Sequence, residues 1–145
     1  MTKIRAYYNV ITDWLNTWLS HKPELTVTNA KTYIGKIWAI EHEGKPLIDT
    51  EHPCRIFLSQ YNARALGELE LVDTICHELA HIEHWEHTEE HKELTKTYRT
   101  RAIEAIQALL AGHEYFNKFN LKTLEHFQNF DVSYNRELNE YYSKH

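Results

Sequence analysis

Cysteine is scarce in this chain of 145 residues: there are two, Cys54 and Cys76, and they form no CxxC pair. That excludes a disulfide scaffold and a zinc ribbon. Long apolar runs are also missing. No stretch approaches the roughly 18 residues of a membrane span, and the N-terminus has no apolar h-region, so a cytoplasmic protein without a membrane partner is expected. Basic charge is in deficit, with 16 Lys and Arg against 21 Asp and Glu and a net charge of −5. This gives no general attraction to nucleic acid, although a local basic patch around Arg99 and Arg101 remains open. Internal repeats, low-complexity segments and long linkers are absent. One domain spanning residues 1–145 is expected, large enough to bury a core without covalent cross-links.

Histidine is abundant, at eleven residues, and six lie between His77 and His113. Such clustering points to metal. For His21, His42, His52, His113, His126 and His145 a surface role is the simpler reading.

The spacing of Ile4, Tyr7, Tyr8, Ile11, Trp14, Leu15, Trp18 and Leu19 by three and four predicts an amphipathic helix over 3–20, closed by Pro23. Its polar face lacks the Lys/Arg excess of a membrane-surface helix, which favours packing on a sheet. Residues 25–28, 32–40 and 54–59 are rich in β-branched and aromatic side chains, with a turn signal at Glu43-Gly44-Lys45-Pro46. They predict a small, mainly antiparallel sheet of three or four strands. Helical patterns return at about 69–84, from Thr88 to just before Gly112, at 121–129 and at 134–143. The fold class is α+β. Trp14, Trp18, Trp38 and the Tyr141-Tyr142 pair are read as packing residues.

The chemistry lies in His77-Glu78-Leu79-Ala80-His81. On a helical wheel, Leu69, Leu71, Val72, Ile75, Cys76, Leu79, Ala80 and Ile82 fill one arc of about 180°. His77, His81 and His84 fall opposite, with Asp73 beside them and Glu78 at the edge. Imidazoles at i and i+4 are neighbours and can share one ion. Glu78, offset by one residue, suits a general base better than a ligand. His84 stands about 10 Å along the axis from His77 on a straight helix, too far for the same ion. A third ligand therefore needs a bend. Thr88 followed by Glu89 and Glu90 is a helix start, so the first helix should stop near His84 or Trp85. A positive φ at His84 or His87 would help the turn, and His87 is freed to face the metal. His91 and Glu104 are the rival ligands.

These motifs resemble the SprT-like (Spartan-type) metallopeptidase domain. Asn29-Ala30-Lys31-Thr32-Tyr33-Ile34-Gly35 is similar to its glycine-bearing strand, and Arg55-Ile56-Phe57-Leu58-Ser59 to its I-x-L-S strand. Glu70-Leu71-Val72-Asp73-Thr74-Ile75-Cys76 leads into HExxH as that family's helix does. His87-Thr88-Glu89-Glu90-His91-Lys92-Glu93-Leu94 resembles the following H-G-x-E-F-x-x-L, with His91 in place of the aromatic and Thr88 in place of the glycine. The spacing is also that of YgjP-type peptidases. The resemblance covers about residues 3–95 and leaves a helical extension over 96–145. It implies a zincin-like fold, Zn2+ held by His77, His81 and His87, Glu78 as general base, and a protein or peptide substrate. DNA association is a further implication, carried less far because the family's C-terminal zinc ribbon is missing. Tyr98, His91 and Tyr115 are candidate oxyanion donors. A Glu104-liganded gluzincin- or ImmA-like peptidase and a non-catalytic zinc-stabilised interaction domain are the competing readings.

Overall fold

The computed structural model describes residues 2–130; the helix expected at 134–143 and the Tyr141-Tyr142 pair lie outside them. The architecture is α+β, with a small mixed sheet and five helices among the described residues.

Helix α1 (Lys3–Leu15) starts at Thr2, whose hydroxyl accepts from the Arg5 amide, and continues as a short 3-10 turn over Asn16–Trp18. Its apolar stripe of Ile4, Tyr7, Tyr8, Val10, Ile11 and Leu15 is fully buried. That stripe packs mainly on a later helix and less on the first strand of the sheet. Tyr7 also stacks on Phe127, with ring centroids 4.3 Å apart.

Five strands follow: β1 (Glu24–Thr28), β2 (Gly35–Trp38), β3 (Ile40–His42), β4 (Lys45–Leu47) and β5 (Arg55–Ser59). The three-stranded sheet has the order β1-β5-β2. Strand β5 is parallel to β1 and antiparallel to β2. This corrects the expectation of one mainly antiparallel sheet. β3 and β4 form a separate hairpin, turned by Glu43 and Gly44, both at positive φ (53° and 78°). That is the two-residue turn whose twist matches a hairpin. On β5, Ile56 and Leu58 point into the core and Arg55 and Phe57 point outward, as a period of two requires. Trp38, read as a packing residue, is 51% exposed.

A short helix α2 (Gln60–Ala63) leads to α3 (Glu68–Ala80) and the long α4 (Glu89–Leu110). α4 opens at Thr88, whose hydroxyl accepts from the His91 amide. It closes at Gly112, φ 75°, with the His113 amide donating to the Ala108 carbonyl and the Gly112 amide to Leu109. This paired closure is the Schellman arrangement, and it makes glycine the fitting residue there. A 3-10 turn (Glu114–Phe116) and α5 (Leu121–Glu125) complete the described chain. One hydrophobic cluster joins α1, β5, α3 and α4 with Phe116, Phe127 and Phe130. No helix among the described residues is long and apolar enough to cross a membrane.

Candidate metal centre

α3 buries Leu71, Val72, Ile75, Cys76 and Leu79, as the wheel requires. Its histidine face does not point to solvent, however. α4 folds back along it, so His81 is 4% exposed and His91 3%. The helix also ends earlier than its periodicity suggests. It stops at Ala80, and a tighter turn follows in which His81, Ile82 and Glu83 donate to the carbonyls three residues back. Neither His84 nor His87 adopts positive φ. The bend comes instead from this tightening, which frees the His77 carbonyl at the helix end. His91 takes that carbonyl: its Nε2 lies 2.9 Å from the oxygen.

Four imidazoles meet here. Ligand atoms of His77, His81 and His91 all lie within 4.8 Å of one another. His87, on the exposed connection, brings its Nε2 to 3.3 Å from the Nε2 of His77. The rings of His81 and His91 stack at 3.9 Å between centroids and 19° between planes, and His77 meets both edge-on. A carbonyl only accepts, so the tautomers follow from the partners. His81 donates through Nδ1 to the His84 carbonyl at 3.1 Å, which leaves its Nε2 lone pair free. His91 donates through Nε2 to His77 and keeps its lone pair on Nδ1.

Electrostatics agree with neutral imidazoles. Burial, and then the neighbouring His91, push both His77 and His81 down to about 4, and burial also lowers His91. At neutral pH these rings carry lone pairs rather than protons, the state a metal requires. Glu78 is 6% exposed, and burial raises its carboxyl to about 7. Its carboxylate lies against Gly35 of β2, where a Cβ would stand 3.3 Å from Glu78 Oε2 and 2.9 Å from Leu58 Cδ2. Only a residue without a side chain leaves this space. The signal in the sequence was a glycine inside a strand pattern, which often marks such a close approach.

The other candidates lie elsewhere. Glu104 is exposed, pairs with Arg101 at 3.1 Å, and stands about 20 Å along α4 from His91 at 1.5 Å per residue. The Tyr98 hydroxyl bonds the Trp18 carbonyl and the Tyr115 hydroxyl bonds that of Asp13, so neither turns to the histidines. Arg101 is held between the rings of Trp14 and Trp18, while Arg99 is buried and paired with Asp73. The two arginines do not form a shared basic patch.

No protein-family model, no curated protein and no solved structure matches this chain.

Proposed function

We propose that the chain is a zinc-dependent metalloendopeptidase of the SprT-like kind, with His77, His81 and His87 as ligands and Glu78 as general base. The observation that carries this reading is the 3.3 Å separation of the His77 and His87 Nε2 atoms. Zn–N bonds of about 2.0–2.1 Å at tetrahedral angles place two ligand nitrogens about 3.3 Å apart. His81 offers its free Nε2 to the same space, oriented by the His84 carbonyl in the way outer partners fix metal-binding imidazoles.

His77, His81 and His87 would hold a zinc ion there, which would supply Lewis acidity toward a water and a peptide carbonyl. Glu78 takes the proton from the attacking water and returns it to the leaving amine. In the metal-free protein burial raises this carboxyl to about 7; the charge of a bound ion would lower it toward the carboxylate form that a general base needs. The free edge of β2 offers a template for an extended substrate: β2 pairs with β5 on one side, and no strand among the described residues pairs its other side. A cavity of about 280 Å3 runs between this strand and the site, bounded by Gly35, Ile37, Glu78 and Trp85. The test uses purified protein loaded with one equivalent of zinc and an unfolded protein substrate. Glu78→Gln should retain zinc and lose hydrolysis; turnover in that variant overturns the role of Glu78.

A second reading rests on His91. The mutual approach of His77, His81 and His91, with His87 as a fourth nitrogen beside His77, suits a closed, structural zinc site. Against it stands the face-to-face stack of His91 with His81, in which two rings do not aim at one ion. X-ray absorption at the zinc edge separates the two, since three nitrogens plus an oxygen fit the peptidase and four nitrogens fit the closed site.

A further inference from the structure

Two cavities meet at the histidines. The first lies along β2 and Glu78. The second, about 520 Å3, lies between α3 and α4 and shares His77 and His87 with the first. A peptide whose scissile carbonyl sits at the imidazoles, with one flank along β2, has the second cavity beside its other flank.

We propose that this second cavity is the specificity pocket and receives an acidic side chain adjacent to the scissile bond; the proposal rests on the peptidase reading above. No apolar side chain lines the cavity. Its α4 wall presents Lys92, Lys96 and Arg99, spaced i, i+4 and i+7, so the three cations share one helix face. Across from them, Asp73 on α3 pairs with Arg99, which is 1% exposed. The Asp73 charge is thus committed to a fixed partner, and Glu89 is the other carboxylate of the lining. Lys96 sits 3.8 Å from Glu93 in a loose, exposed pair of little strength, so Lys96 as well as Lys92 can turn to an incoming group. An apolar side chain would desolvate these walls without giving them a partner. A basic one would meet two ammonium groups, and an acidic one would pair with them.

The test is a matched set of peptides with Glu, Leu or Lys at each of the two positions flanking the scissile bond. Cleavage by the zinc-loaded protein gives kcat/KM, and binding to zinc-loaded Glu78→Gln protein gives Kd. The Glu peptides should be preferred about tenfold or more at one position, in both readouts, with the preference shrinking at 0.5 M salt. Lys92→Glu/Lys96→Glu should transfer the preference to Lys; either single reversal should abolish the Glu preference. Equal cleavage of all three peptides, or a Glu preference untouched by the reversals, overturns the pocket assignment and leaves the peptidase standing. Selective binding of Glu peptides with no cleavage by the wild type does the opposite.

Discussion

Gly35 on β2 packs directly on the Glu78 carboxylate, so closely that a single added carbon would stand 3.3 Å from both Cγ and Oε2 of Glu78. The same carbon would approach Leu58 Cδ2 to 2.9 Å. Gly35→Ala should therefore push Glu78 off its position while leaving the imidazoles in place. The expected result is unchanged zinc stoichiometry and a kcat lower by about ten- to hundredfold, the scale of a sub-ångström to 1 Å misplacement. Overpacking should also reduce stability by about 1–3 kcal/mol. Metal content and kcat measured on one preparation check this; a fully active alanine variant would show that the carboxylate tolerates the shift.

The pH dependence of the metal-free protein should carry two opposed contributions. His77 and His81 are held down to about 4 from 6.5, so the unfolded chain binds more protons than the folded one between those values, and their contribution is lost as pH falls through that window. Glu78 is raised from 4.5 to about 7. Its contribution is present at low pH and is lost as pH rises through 7. Glu78→Gln removes the second trend alone. The variant should be more stable than the wild type at pH 8, by on the order of 1–3 kcal/mol, and lose that advantage by pH 4.5. Urea melts in a metal chelator at several pH values read this directly. Parallel curves for the two proteins would mean that the Glu78 carboxyl is not shifted by burial.

The ligand set has its own test. His77→Ala, His81→Ala and His87→Ala should each weaken zinc binding by at least about tenfold, whereas Glu104→Ala should leave it unchanged, because Glu104 is exposed and engaged with Arg101. Competition with a chromophoric chelator measures this. Full zinc affinity in His87→Ala would move the third ligand to His91.

Local signals were the legible part of this molecule. Thr88 with Glu89 and Glu90 marked the start of α4, Gly112 marked its end, and Glu43-Gly44 marked the hairpin turn, because each depends on a few neighbouring residues. The HExxH face and the apolar arc of α3 were legible for the same reason. What was not legible depends on distant pairing. Nothing within Glu24–Thr28 encodes that it lies parallel to Arg55–Ser59, some thirty residues on. The wheel of α3 could not show that α4 folds over its histidine face and buries His81. Nor could the spacing show that α3 yields its last turn to a side chain fourteen residues away, since a helix end is decided by whichever donor reaches the free carbonyl.

The same long-range logic governs Asp73 and Arg99, which join α3 to α4 beneath the candidate pocket. Arg99 is 1% exposed and cannot shed its charge, so removing the Asp73 carboxylate takes a counter-charge from a buried cation. Asp73→Ala should cost about 3–5 kcal/mol, toward the lower figure because Asp73 keeps 26% of its side chain in water. Replacing both residues together, Asp73→Leu with Arg99→Met, removes the charge along with its partner and should restore most of that loss. Chemical denaturation of the wild type, both single variants and the double variant closes the cycle. A double variant no more stable than Asp73→Ala would show that Arg99 is held by contacts other than the ion pair, and that the α3–α4 junction owes its stability to packing around the guanidinium rather than to its charge.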